Sequence, residues 1–255
     1  MSSGLTSSID LVEILFTLFW VFFVFLVLYL QREGKREGYP LVSERSDNIT
    51  VQGFPTMPRQ KTYLLPHGGT ALAPSGDPPE TDVAAVPAAN FPGAPLVPTG
   101  DPMVDGVGVA AYAKRSDTPD LTLDGRNRIV PLRTQPEAYV DRRDKDPRGM
   151  PVVAADDAKV GTVSDLWIDL SEPMIYFLEV TRDTSGDSVM VPFHFAKIRK
   201  REGDIKVNAL YAHQFDRVPR LKSPDQITLL EEDKITAYYA GGELYADAKR
   251  QEPFI

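Results

Sequence analysis

A single N-terminal transmembrane α-helix followed by a mainly-β cytoplasmic domain, built as a small antiparallel barrel with one short C-terminal helix, is the fold class this sequence predicts. Three observations predict it. The chain has an unbroken apolar run from Leu11 to Leu30, a proline-dense middle, and short β-like runs separated by Gly/Asp turns from Pro151 onward.

The apolar run, LVEILFTLFWVFFVFLVLYL, carries one charge, Glu13. At about 1.5 Å rise per residue a helix of that length covers ~30 Å, the thickness of a bilayer's hydrocarbon core. Lipid offers no partners to backbone N–H and C=O groups, so such a span closes its own hydrogen bonds as a helix. No Lys or Arg precedes it, whereas Arg32, Lys35 and Arg36 follow at once. The positive-inside rule therefore places residues 1–10 outside, the span at 11–31 and the rest in the cytoplasm. A cleaved signal peptide would need a positive n-region, a shorter apolar core and a small-x-small site, and none is present. Phe16, Phe19, Trp20, Phe22, Phe23, Phe25 and Tyr29 are bulky, and no small-xxx-small pattern invites close self-dimerisation. The span reads either as a plain anchor in lipid or as one packed on other helices; Trp20, mid-span, leans toward protein packing.

About 225 residues follow the anchor, enough for one or two ordinary cores. The net charge of −8 and the scattered Lys and Arg leave no nucleic-acid footprint. The absence of cysteine excludes disulfides, thiolate-held zinc or iron–sulfur clusters and a thiol nucleophile, and suits a reducing compartment.

Residues 32–150 read as a proline-rich extended surface segment with short strands. From Pro40 to Pro151 lie 17 of the 22 prolines, and proline fixes φ and removes a donor, so helix and central strand are disfavoured. A disordered linker is one reading. An ordered strap is the other, in which apolar pieces such as Lys61–Pro66 and Asn127–Leu132 dock on a neighbour, and their recurrence favours it.

Residues 151–255 form the β domain. Lys159–Asp169, Met174–Val180, Ser188–Pro192, Lys197–Arg199 and Ile205–Asn208 read as strands at short, regular spacing. A helix is predicted over Leu230–Tyr239, opened by acids that suit the positive end of its dipole and stopped at Gly241-Gly242.

Motifs for chemistry are sparse. His67, His194 and His213 form no metal-ligand spacing, no Gly-x-Ser-x-Gly elbow occurs, and His67-Gly68-Gly69 reads as a turn rather than an anion loop. Gly106-Val107-Gly108 lacks the third glycine of a dinucleotide fingerprint. Asp165, Asp169, Glu172 and Glu179 are more informative, since they fall in one strand-turn-strand unit beside Trp167 and Tyr176. They form a solvated rim or, if buried at an interface, carboxylates whose raised proton affinity lets them relay protons; spacing does not choose.

Long motifs carry a family resemblance: Arg36–Leu41, Leu65–Gly68, Pro98–Met103 with Asp105–Gly108, Asp146–Gly149 before Pro151–Val153, Asp165–Asp169, and Leu230–Ile235 leading to Ala240–Gly242. In this order they resemble, over nearly the whole chain, the H subunit of the photosynthetic reaction centre of purple bacteria, and residues 151–255 resemble the PRC-barrel type, which also occurs in ribosome-maturation proteins. The resemblance implies a non-enzymatic subunit in the photosynthetic intracytoplasmic membrane, its N-terminus periplasmic. Such a subunit caps the cytoplasmic face of the L and M subunits, stabilises the complex and assists proton delivery to the secondary quinone. It implies no cofactor bound by this chain itself. Bacteriochlorophyll, bacteriopheophytin, quinones and non-haem iron belong to the partner subunits, with membrane lipids, an antenna ring and a cytochrome subunit as further neighbours. By matching motifs, Asp169 and Glu172 correspond to acids nearest the quinone's proton route, and Asp124 to an acid at the surface intake. Where some members carry two histidines after Asp-Gly, this chain has Arg126-Asn127-Arg128, which puts a histidine-based intake in doubt. A basic residue of some members is replaced by Tyr176.

Two other classes compete: a membrane-anchored PRC-barrel module recruiting a soluble protein or RNA, and a tethered hydrolase. The hydrolase lacks a nucleophile–base pattern and an RNA role lacks a basic face.

Overall fold

The computed structural model describes residues 11–42, 50–76, 83–91 and 93–251, so the periplasmic assignment of residues 1–10 lies outside it. The chain packs as two units, Met1–Asp82 and Val83–Ile255.

In the first unit, helix α1 (Leu11–Gly34) is long and apolar enough to cross a membrane and buries none of its side chains within the protein. Phe16, Phe19, Trp20 and Phe23 recur every three or four residues, so their rings meet along one stripe, mostly edge to face. After the helix, Lys35 is buried. Its Nζ donates to the carbonyls of Gln52 (2.6 Å) and Pro55 (2.5 Å) and lies over the Tyr39 ring. Arg36 pairs with Glu33 at 2.8 Å and donates to the carbonyls of Arg59 and Ala73. Two of the three cations that follow the span, Lys35 and Arg36, thus fold the chain back on itself. Two antiparallel hairpins follow, β1 (Leu41–Val42) with β2 (Thr50–Val51), and β3 (Lys61–Leu64) with β4 (Thr70–Ala73). The second closes through His67-Gly68-Gly69. Both glycines have positive φ, 93° and 87°, which glycine adopts without steric cost, and the segment is the turn the sequence predicts.

The second unit begins with a hairpin, β5 (Ala85–Pro87) and β6 (Leu96–Pro98), and a single helical turn, α2 (Pro102–Asp105), capped by the Asp101 side chain. Its core is a seven-stranded sheet: β7 (Ile129–Pro131), β8 (Pro151–Val153), β9 (Lys159–Asp169), β10 (Met174–Arg182), β11 (Ser188–Pro192), β12 (Ala196–Arg199) and β13 (Asp204–Val207). The order is β11-β10-β9-β8-β13-β12, with β7 also on β9. Leu166, Trp167, Phe177, Leu178, Val180, Val191 and Ile205 are fully buried in it. A final helix, α3 (Leu229–Tyr245), starts at a capping box in which Thr228 and Glu231 satisfy each other's amides.

The mainly-β domain with its terminal helix is as predicted, and three details differ. Among the described residues β11 and β12 do not pair, so backbone hydrogen bonds do not close a ring, and β8 and β13 run parallel. Ile129–Pro131, read as part of a strap for a neighbour, instead joins this chain's own sheet. Strand β8 covers only the first half of β9, at Lys159–Thr162, and β7 supplies ladder partners to Trp167–Asp169. Finally, α3 runs through Gly241 and Gly242 rather than stopping there. A Cβ at Gly241 would lie 2.6 Å from Ala110 Cβ, and one at Gly242 2.4 Å from the Ala209 carbonyl oxygen. These glycines let the helix pack closely on the Gly108–Ala110 turn and on the Ala209–Leu210 segment after β13, so they serve packing, not termination.

Candidate functional site

The acids singled out in the sequence lie where β7, β9 and β10 meet, and two β-bulges aim their side chains. Ser164 is the extra residue on β9 and Tyr176 the extra residue on β10. Each bulge breaks the strict alternation of faces and re-aims a side chain.

Asp169 ends β9, with its side chain only 1% exposed. Arg128 Nε donates to its Oδ2 at 2.7 Å, Arg128 Nη2 lies 2.7 Å from the same oxygen as an ion pair, and the backbone N–H groups of Ser171 (2.7 Å) and Glu172 (3.1 Å) donate to its Oδ1. Burial alone would raise this carboxyl's pKa. The Arg128 guanidinium and the two amides outweigh burial and hold it below the usual carboxylate value. Asp169 is therefore an ionised buried anchor that shapes the Leu170–Pro173 turn, rather than an acid of raised proton affinity. Glu172 sits on that turn, its amide bound to Asp169 and its side chain in the open. Asp124 is farther along the loop before β7, 77% exposed and 3.5 Å from Arg126. The structure thus joins Asp169 and the Glu172 backbone and leaves Asp124 at the surface.

A second cluster forms around Arg133, just after β7. Its Nη1 reaches Asp165 (2.9 Å) and Glu179 (2.7 Å) and its Nη2 reaches Asp225 (2.9 Å), while Trp167 Nε1 donates to Glu179 at 3.0 Å. The carboxylates read as a solvated rim or a relay are, for Asp165, Asp169 and Glu179, arginine-paired groups of the sheet. Among the described residues no three His, Asp or Glu side chains converge as a metal site.

One acid at this site was not singled out in the sequence. Glu232, in the first turn of α3, accepts a hydrogen bond from the Tyr176 hydroxyl at 2.9 Å, and burial pushes its pKa up. Burial and the Glu232 charge push Tyr176 to about 12. Tyr176, Glu232, Asp169, Arg128, Asp120 and Arg115 line a polar cleft of ≈ 190 Å³. The sequence signal for Glu232 is only the acid after the capping-box Glu231, indistinguishable from a dipole-matched surface residue. On the other side of Asp169 lies a larger, mostly apolar cleft of ≈ 520 Å³, walled by Leu166, Ile168, Pro173, Met174, Tyr139 and Val140.

The chain joins one helix long and apolar enough to cross a membrane to a mainly-β domain of the PRC-barrel class, whose domain model matches residues 140–214. Residues 3–134 match the model of the photosynthetic reaction centre, H-chain N-terminal region. The chain belongs to the photosynthetic reaction centre H-chain family, a structural subunit of a photochemical complex.

Proposed function

We propose that this chain caps the cytoplasmic face of the L and M subunits, with its N-terminus in the periplasm, and assists proton delivery to the secondary quinone. Light-driven charge separation and the pigments, quinones and iron that perform it belong to the partners. The observation that carries this reading is the placement of the Asp169–Glu172 turn at the lip of the ≈ 520 Å³ apolar cleft, where Met174 and Tyr139 remain exposed. A lid over a quinone site needs an apolar contact surface with acids at its edge. Contact there would take the exposed Glu172 carboxylate out of bulk water and set it at the edge of the covered surface. Asp169 contributes by fixing the turn, and Asp124 by offering an exposed carboxylate at the surface.

Replacing Glu172 by Gln is expected to slow proton-coupled transfer of the second electron to the quinone, read by flash spectroscopy on the purified complex; an unchanged rate counts against the role. The alternative, a tethered module recruiting a soluble partner, predicts that the membrane complex copurifying with this chain lacks bacteriochlorophyll absorption.

A further inference from the structure

We propose that Glu232 is the acid that loads and releases a proton in the polar cleft beside Asp169, with Tyr176 as its positioning residue. The inference rests on the proton-conducting reading above and deepens it.

A relaying carboxyl must be shielded enough to hold a proton, open enough to exchange it with water, and not locked to a guanidinium. Asp169 fails the last condition, because Arg128 grips it at 2.7 Å. Asp120 shares the same arginine at 3.2 Å. Asp124 is open to solvent. Glu232 meets all three conditions: it is half-buried, it lines the ≈ 190 Å³ cleft, and among the described residues it makes no ion pair. A polar cleft of that size readily admits water.

The fold places it deliberately. Glu231 turns inward to close the capping box with Thr228 and to accept the Lys222 amide at 2.8 Å, which leaves Glu232 pointing at β10. The bulge at Tyr176 brings the phenol hydroxyl to it. The groups facing the carboxyl come from every neighbouring element: Arg115, Asp120 and Arg128 from the segment before β7, Asp169 from β9, Tyr176 from β10, and Asp233 beside it on α3. Arg115 is itself engaged by Asp233 at 3.3 Å.

The step is a proton exchange without covalent rearrangement. A hydronium in the cleft gives its proton to a Glu232 carboxylate oxygen, forming an O–H and leaving water. On release the O–H breaks, and the proton passes to water on the Asp169 side, toward the Glu172 turn. Tyr176 keeps its own proton throughout, since burial beside Glu232 makes it a weak acid, and it donates to the carboxylate in the ionised state.

The test uses the intact complex in detergent, with infrared titration of protonated carboxyl groups and flash-induced proton uptake measured in the wild type, Glu232→Gln, Tyr176→Phe and Glu172→Gln. The expected result is a carboxyl band titrating above the usual carboxylate range that vanishes in Glu232→Gln. Its midpoint moves upward in Tyr176→Phe, because a donor to the ionised form is lost, and uptake slows several-fold in Glu232→Gln. A purely structural role for Tyr176 would leave the midpoint in place and overturns its assignment. Tyr176→Phe removes one hydroxyl, so the proposal stays testable should Glu232→Gln fail to assemble. If Glu172→Gln slows uptake while Glu232→Gln leaves it unchanged, this inference falls and the broader reading stands. If neither slows it, both fall.

Discussion

Replacing Arg128 by Leu tests the electrostatics of the site most sharply. The change leaves Asp169, 1% exposed, without its guanidinium but still holding the Ser171 and Glu172 amides. Breaking a fully buried pair costs about 3–5 kcal/mol, and an exposed one about 0–1 kcal/mol. Arg128 is 34% exposed, so the loss falls between, roughly 2–3 kcal/mol at neutral pH. The pH dependence has a definite sign. In the wild type the Asp169 pKa lies below its unfolded value, so its contribution is present above the unfolded pKa, ~4, and is lost as pH falls through the lowered one. In the variant, burial is no longer outweighed by the arginine, Asp169 takes up a proton more readily, and the gap to wild type narrows in acid. Urea unfolding of the full chain in micelles, followed by Trp167 fluorescence with Trp20 changed to Phe, reads the difference. A loss below about 0.5 kcal/mol at neutral pH, or an equal loss at both ends of the range, would refute the reasoning.

Three further outcomes are expected from the same unfolding measurement. Gly242→Ala should cost about 1–3 kcal/mol, because its methyl would meet the Ala209 carbonyl and, at 2.6 Å, Leu210 Cδ2; Gly34→Ala, with open space around it, should be close to neutral. Thr228→Ala should cost about 1 kcal/mol by removing the α3 cap, and equal stability would mean Glu231 alone holds the helix end. Arg182 and Ser185 hold Asp187 at about 2, so its stabilising effect should be present above ~4 and fade as pH falls toward that value. With Asp187 43% exposed, Asp187→Asn should cost no more than ~1 kcal/mol.

Patterns confined to one element were readable in the sequence. The apolar run became α1, and β9, β10 and β11 begin where the sequence places them, because apolar length and strand-turn alternation are local signals. What a residue meets across the fold was not readable. Gly241-Gly242 looks like a helix stop until Ala110 and Ala209 are seen against it. Arg128 and Arg133 look like solvated charges in a proline-rich segment until β7 pairs with β9 and delivers them to Asp169, Asp165 and Glu179. Asp169 was found by its motif, yet its depressed proton affinity depends on the distant arginine and on a turn closed by its own neighbours. Glu232 reads in the sequence as one more dipole-matched acid, because the Tyr176 bulge, which gives it a partner, arises only from the mismatch between two paired strands.

The central claim is tested most directly by measuring flash-induced proton uptake and second-electron transfer in the pigment-bearing complex, first with this chain, then after its removal, then after it is added back. The account predicts that removal slows both and that the wild-type chain restores them, whereas a chain carrying Glu172→Gln restores binding but not the rates. Rates indifferent to the chain's presence, or a purified complex without bacteriochlorophyll, would contradict it.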